Sequence, residues 1–408
     1  MRVAVVAEWY PSPADPVLGI WAHRQALAAR SAGAEVRVLA LRRPVPPLSV
    51  ARGLLQIPPA TGALSRWIAG ARTSLRPMVL DGLSVTPVAW LGPPRPISYG
   101  TWGYWMTPPL YGALNRLYAS WPFDVLHAHL LAPTGHAAAH WIRRRPSAMR
   151  PAFVVSAHGG DMISVPERSP VGRRAVLTAL HQADLVLANS SWAQRRCRDL
   201  AGRDLPVRVV HLGATVTPAT HEPDGRLRMI TVAHLQARKR HDVVLRSLAR
   251  LAPERRPDYL VVGDGKQREP LERLTADLGL SDRVRFIGQL PNEQAVARMA
   301  ESDLFVMPGV EEPFGVAFVE AMATGIPAIG GRGEGGPEDI AAAGEGLLLV
   351  GPGDVDELAG VIERLSADRA ELRRLGDAAR LTVDAHFTWD RCGRATVAAY
   401  ADALGRRR

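Results

Sequence analysis

The chain has 408 residues, 47% of them hydrophobic and 22% charged, with a formal net charge of +10. That length asks for two domains, the composition excludes a predominantly disordered chain, and no apolar run reaches the ~18 residues needed to cross a bilayer. Its two cysteines, Cys197 and Cys392, can build neither a disulfide framework nor a structural zinc set, which suits free thiols in a reducing cytoplasm.

The first half alternates short apolar runs with longer helical patterns. Residues 2–7 form an apolar run that reads as a strand and not as a leader peptide. A helix is predicted over 19–32 and a strand over 35–41. Pro and Gly crowd 42–60, a long surface loop. Further strands are predicted at 84–90, 124–129, 153–157, 185–188 and 207–210, with helices between them. Residues 213–225 read as a linker. Strands follow at 227–233, 259–263, 284–287, 304–307, 327–330 and 347–350, and 355–404 is helical in pattern. The fold class is therefore α/β, with two doubly wound, Rossmann-like parallel-sheet domains facing a cleft. Ligands in such sheets bind beyond the carboxyl ends of the strands, so chemistry belongs on the loops that follow them.

The positive charge is almost all arginine, the lysines being Lys239 and Lys266 alone. It suits a nucleotide, a phospholipid surface or nucleic acid. The basic residues are spread along the chain with no accompanying nucleic-acid motif, so nucleic acid is not expected as a partner.

The strongest chemical signal is EPFGVAFVE at 312–320. Glu312 lies on the loop after a strand, and Glu320 about one and a half turns into a helix predicted to start near Phe314. The free N–H groups of Gly315 and Val316 at that helix start suit a phosphate. A carboxylate just before them can accept from sugar hydroxyls, and one further along can hold a ribose diol.

This segment resembles the signature of the retaining glycosyltransferases of the large sucrose-synthase/mannosyltransferase family, often called family 4, which have the GT-B fold. LVVGDG (260–265), VRFIGQ (284–289), AMATGIP (321–327) and GGPE (335–338) fall in that family's order, as do GIWAHRQA (19–26), HAH (127–129), SAHGGD (156–161) and ADLVLANS (183–190). The resemblance implies an acceptor-binding domain over 1–212, a linker over 213–225, a nucleotide-sugar-binding domain over 226–388, and a C-terminal helix over 389–408 that packs back toward the first domain. It implies that Glu312 binds hydroxyls of the donor sugar and Glu320 the ribose. It also puts the amides of Gly315 and Val316 against the diphosphate, Gly19 close to the same phosphates, and Gln289 and Leu290 near the base. Lys239 is the expected phosphate cation. The family usually has Gly-Arg-Leu where this chain has Ala233, His234 and Leu235, and a glycine where Arg240 stands; Arg238 or Arg240 then supplies the missing charge.

His158 follows a strand and is placed closest to the reacting carbon, to polarise or position the donor sugar or to help hold the acceptor. His23, His129 and Asp161 are acceptor-side candidates, together with the aromatic run from Tyr99 to Tyr118. His127 and His129 lack a third ligand at suitable spacing, so no metal site is expected. Arg66, Trp67, Arg72 and Arg76 share one helical stretch that would suit peripheral contact with an anionic membrane. Two other patterns are set aside. The glycine-rich run at 331–336 has the form of a dinucleotide fingerprint, but one remaining strand cannot complete such a domain. Asp354 and Asp356 resemble a metal-binding D-x-D, yet open a helix where aspartates cap.

The resemblance implies a transferase that moves a sugar from a nucleoside-diphosphate sugar to an acceptor hydroxyl on a saccharide, a lipid-linked molecule or a small molecule. It would do so with retention, with no metal or other cofactor, with closure of the two domains, in the cytoplasm or at the inner face of the plasma membrane. A nucleotide-sugar epimerase or hydrolase of the same architecture, and a two-lobed sugar-binding protein, are the alternatives.

Overall fold

A computed structural model describes residues 1–46, 61–217 and 225–407. The loop expected at 42–60 lies largely outside the described residues, as do 218–224 of the expected linker. Contacts divide the chain into two units. One comprises Met1–Asn189, Ala193–Val210 and Cys392–Arg408; the other comprises Ser190–Trp192 and His211–Arg391.

The first unit holds eight strands: β1 (Arg2–Ala7), β2 (Glu35–Arg42), β3 (Met78–Leu80), β4 (Leu83–Ala89), β5 (Val125–His129), β6 (Ala152–Ala157), β7 (Leu185–Ala188) and β8 (Val207–Val209). Their order is β3-β4-β2-β1-β5-β6-β7-β8. Strands β5, β6 and β7 are buried at every residue, as strands covered on both faces must be, which is why they read as near-continuous apolar runs. The chain leaves β1 toward one edge and returns to start β5 on the other side, so β1 and β5 flank a topological switch point. Strand β3 was not predicted. It pairs antiparallel with β4 through Asp81 and Gly82, both at positive φ (47° and 76°). Asp-Gly is the two-residue hairpin signal, and it was present in the sequence.

The second unit holds β9 (Arg228–Val232), β10 (Asp258–Val262), β11 (Val284–Gly288), β12 (Leu304–Met307), β13 (Ala328–Gly331) and β14 (Leu347–Val350), all parallel, in the order β11-β10-β9-β12-β13-β14. Its switch point lies between β9 and β12. The core packs Leu245, Leu248, Leu304, Val306, Ile329 and Ile362, each essentially fully buried. Each such aliphatic side chain contributes roughly 2 kcal/mol.

The 355–404 run resolves into three helices, Val355–Ala367, Arg369–His386 and Trp389–Gly405. Asp354 and Asp368 cap the first two through the N–H groups of Glu357 and Glu371. Residues from Cys392 onward belong to the first unit, where Gln25 Nε2 donates to Thr396 Oγ1 (3.1 Å). The described part of the expected linker is packed within the second unit: Ala214 N–H donates to the Phe387 carbonyl (2.8 Å) and Thr217 N–H to that of Ala323 (3.2 Å). Residues 190–192 join that unit too, because Ser191 N–H donates to Asp339 Oδ2 (2.7 Å).

Candidate functional site

In the second unit the loops after β9 and β12 meet at the switch point. The first carries Arg238 and Lys239 and the second Glu312, and the Val310 N–H donates to the Arg238 carbonyl (2.7 Å), tying the two together. Lys239 and Glu312 are both buried and form a hydrogen-bonded ion pair through Nζ and Oε2. Arg238 Nη1 lies 3.4 Å from the same oxygen and donates to the Glu311 carbonyl at 3.1 Å. Burial pushes the Lys239 pKa down, and the neighbouring Glu312 carboxylate opposes that shift. Of the two arginines left open by the sequence, Arg238 stands in this cluster.

Arg240 occupies a left-handed conformation (φ 56°). This is the physical reason a glycine suits the position. A non-glycine residue there costs roughly 1 kcal/mol, so Arg240→Gly is expected to raise stability by up to about 1 kcal/mol in urea unfolding; a decrease would show that the arginine makes compensating contacts.

The helix after β12 spans Val316–Ala323 and so starts two residues later than predicted near Phe314, because Gly315 at its N-cap has φ 78° and cannot be helical. Phe318, Val319 and Met322 fix its buried face, while Glu320, about one turn in, is half-buried. Asn292 Nδ2 donates to Glu320 Oε1 (2.8 Å) and orients that carboxylate. Asn292 was not singled out in the sequence, which carries no local signal for a contact across 28 residues. The glycine-rich run after β13 also serves this site. Glu334 Oε2 accepts from the Glu312 N–H (3.0 Å), and Gly336 N–H donates to the Glu312 carbonyl (3.1 Å). Gln289, exposed, and Leu290, half-buried, follow β11 at the sheet edge, on the same carboxyl side as the other loops.

In the first unit the candidates gather at the carboxyl ends of β1, β5 and β6. Gly19 precedes the helix Ile20–Ser31 with φ 71°, and a Cβ there would sit 2.1 Å from the Trp9 carbonyl oxygen, so the chain's own backbone demands glycine. His23, buried, hydrogen-bonds to Tyr10 Oη and Asp81 Oδ2, both at 2.8 Å, which engages both ring nitrogens. Asp161, also buried, accepts backbone N–H groups from Leu131 (2.8 Å), Gly159 (2.7 Å) and His158 (3.2 Å). Its carboxylate organises the loop around His158; burial pushes its pKa up and those amides pull it back. His127 is bound on both nitrogens at 2.7 Å, by Tyr400 Oη of the C-terminal helix and by Ser156 Oγ. His129 Nδ1 hydrogen-bonds His158 Nε2 (3.0 Å), with the rings stacked at 5.2 Å.

Burial holds these three rings neutral, with His127 at about 3, His158 at about 4 and His129 well below its ordinary value. The sign follows directly. The unfolded chain takes up protons near pH 6.5 that the folded chain refuses, so this contribution is full above 6.5 and is lost as pH falls toward 4. His127→Gln should therefore flatten the stability slope between pH 5 and 6 by about 1.2 kcal/mol per pH unit, read from urea midpoints; an unchanged slope would contradict a neutral His127.

Glu8, directly after β1, was not singled out in the sequence. It is buried, accepts from Tyr99 O–H (3.0 Å), and is pushed up to about 7 chiefly by burial, against the pull of Arg95. In the aromatic run, Trp102 is buried against Trp90 and Tyr99, whereas Tyr104 and Trp105 are exposed on the helix Trp102–Ser120. Tyr104, Tyr111, His140 and Arg144 line a cavity of about 470 Å³.

Residues 18–217 match the model of the family described as Glycosyltransferase Family 4, and residues 216–382 match that of Glycosyl transferases group 1. MMP alpha-(1->4)-mannosyltransferase from Mycolicibacterium hassiacum is 34% identical over 226 residues, 55% of this chain and 55% of that protein, so the match spans about half that relative's length. GDP-mannose-dependent alpha-(1-6)-phosphatidylinositol monomannoside mannosyltransferase from Mycolicibacterium smegmatis is 29% identical over 61% of this chain and 69% of its own. Among solved structures, sucrose-phosphate synthase from Thermosynechococcus elongatus shares the fold with a TM-score of 0.78 at 21% identity, covering 98% of each chain. HepE of Anabaena, solved with UDP, gives a TM-score of 0.68 at 18% identity over 98% of this chain and 100% of its own. The two family matches join at the start of the second unit and together run from residue 18 to residue 382, and the chain belongs to the family 4 GT-B glycosyltransferases, the glycosyl transferases group 1.

Proposed function

We propose that the protein moves a sugar from a nucleoside-diphosphate sugar to an acceptor hydroxyl, with retention of configuration and with no metal cofactor. The observation that carries this reading is the buried Lys239–Glu312 pair beside the amides of Gly315 and Val316, at the switch point of the second sheet. Lys239, Arg238 and those amides bind the diphosphate and stabilise the charge it gains as the glycosidic C–O bond breaks. Glu312 accepts hydrogen bonds from donor-sugar hydroxyls. Glu320, oriented by Asn292, holds the ribose, and Gln289 and Leu290 flank the base. The acceptor oxygen bonds to the anomeric carbon on the face the diphosphate leaves, and its proton passes to the departing phosphate oxygen. The acceptor is held by the first unit, whose His158 is the candidate catalytic group, and the cations of the second unit do the work a divalent ion does elsewhere. Asp354, the one candidate of D-x-D form, is engaged as a helix cap.

Relatives are named for GDP-mannose and for glucosyl and N-acetylglucosaminyl transfer, so GDP-mannose, UDP-glucose and UDP-N-acetylglucosamine are the first donors to try. Lipid-linked acceptors follow from the phosphatidylinositol mannoside in one relative's name and from the exposed Arg66, Arg72 and Arg76 along and just beyond the helix Thr61–Ser74, which suit peripheral contact with an anionic membrane. Among the described residues no helix is long and apolar enough to cross a membrane. We place the reaction in the cytoplasm, where the buried thiols of Cys197 and Cys392 stay reduced. Incubation of each donor with and without acceptor, in the presence of EDTA, tests the reading. The expected product is an acceptor glycoside with the donor's anomeric configuration. Inverted product, strict metal dependence, or donor turnover that ignores the acceptor would overturn it, the last in favour of an epimerase or hydrolase.

A further inference from the structure

The helices Trp102–Ser120 and His136–Arg143 of the first unit pack against each other. A cavity of about 470 Å³ is lined by both of them. Tyr104, Thr107, Pro108 and Tyr111 come from the first helix, at the three- and four-residue spacing of one helical face. His140 comes from the second helix, and Arg144 from the residue that follows it, four positions on. The volume falls within the roughly 300–1,000 Å³ of small-molecule sites. None of the residues assigned above to sugar transfer lines it.

Three features of the lining define a ligand. The first is charge. Arg144 is exposed, with its guanidinium 5.6 Å from the centre of the Tyr111 ring and no carboxylate beside it among the described residues. His140 is bound through Nε2 to His136 Nε2 (3.2 Å), and its Nδ1 has no partner among the described residues. Residues 82–160 contain six arginines and one acid, Asp124, which accepts the Arg2 N–H (2.8 Å) at the amino end of β1. A guanidinium without a carboxylate, in a stretch so poor in acids, attracts an anion. The second feature is aromatic. Tyr104 is exposed, Tyr111 is half-buried, and each joins an apolar ring to a hydroxyl, as suits the faces and edges of a sugar. The third is backbone. Pro108 and Pro109 lie inside the helix and have no N–H, so the carbonyls of Tyr104 and Trp105 lack the donor four residues on. Tyr104 and Pro108 both line the cavity, which sets a carbonyl acceptor beside it. A bare anion has no use for that carbonyl; a sugar hydroxyl does.

We propose that this cavity binds a saccharide that carries a phosphate or a carboxylate. The anion meets Arg144 with His140 beside it, the sugar ring lies on Tyr104, and a sugar hydroxyl donates to the Tyr104 carbonyl. The site belongs to the first unit alone, and its assignment holds whether or not the second unit transfers sugar.

Isothermal titration of the full chain with glucose 6-phosphate, glucuronate, glucose and inorganic phosphate tests the proposal. One of the two acidic sugars should bind at least about tenfold more tightly than either glucose or phosphate, and the tighter of the two identifies the anion. Arg144→Gln, at an exposed position, should weaken that binding about tenfold. Pro108→Ala returns an N–H to the Tyr104 carbonyl, and should weaken the acidic sugar about fivefold while leaving the affinity for phosphate unchanged. The double variant Lys239→Met/Glu312→Gln, which alters the second unit's site, should bind the acidic sugar as the wild type does. Failure of both acidic sugars to bind, full affinity in Arg144→Gln, or loss of binding in the Lys239→Met/Glu312→Gln variant would overturn the proposal. Phosphate that binds as tightly as the acidic sugars, with Pro108→Ala affecting neither, would overturn it in favour of a simple anion site.

Discussion

Lys239→Met is expected to lower turnover by about a thousandfold, the effect of removing a preorganised charge from the position where negative charge develops. It should also cost stability. Glu312 is 7% exposed and would be left with Arg238 at 3.4 Å as its counter-ion, and breaking a buried pair by removing one partner costs about 3 kcal/mol or more. The double variant Lys239→Met/Glu312→Gln separates the two effects. It removes both charges, so most of the lost stability should return, while turnover stays depressed. Recovery of turnover along with stability would mean that the pair is structural. Glu312→Gln alone removes the carboxylate that opposes the burial of Lys239, which lowers the lysine's pKa further. Its alkaline limb of kcat/KM against pH should therefore move toward acid.

The second large effect is expected at Gly336, which touches none of the proposed ligands. A Cβ there would lie 1.9 Å from the Phe314 carbonyl oxygen and 2.2 Å from its Cα. Both are backbone atoms of the segment that delivers Gly315 and Val316, so neither can move without displacing those amides. Gly336→Ala should cost roughly 3 kcal/mol and raise the donor KM through the shifted helix start. Circular dichroism melts and donor titrations check the two parts. Wild-type donor affinity in a folded Gly336→Ala protein would show that the loop position is not set by this contact.

These cases show which parts of the molecule could be read in advance. All strands but β3 were legible, the central ones because burial on two faces forces apolar runs such as LFVM at 304–307. The carboxylates and amides of 312–320 were legible because a strand-end loop and a helix start lie within one short segment. Other features depend on tertiary neighbours. The glycines of 331–336 matched a dinucleotide pattern, but Gly336 answers to the backbone of Phe314 and Glu334 to the N–H of Glu312. Asn292 reaches Glu320, and His129 reaches His158, only because parallel strands bring distant loops to one edge. His23, His129 and Asp161 have the residue types expected of an acceptor site, and most of their polar atoms are hydrogen-bonded to partners in the chain, with His129 Nε2 buried. The glycine usual at position 240 is explained by a left-handed backbone that no residue-type pattern reveals.

The central claim is that the diphosphate of the donor is held by the second unit at Lys239 and the opening turn of the helix Val316–Ala323. A crystal soaked with a nucleoside-diphosphate sugar that supports turnover tests it most directly. Phosphate oxygens are expected within hydrogen-bonding distance of Lys239 Nζ and of the Gly315 and Val316 N–H groups, with a ribose hydroxyl on Glu320. A donor whose diphosphate binds elsewhere, leaving the Lys239–Glu312 pair undisturbed and no ribose hydroxyl on Glu320, would contradict it.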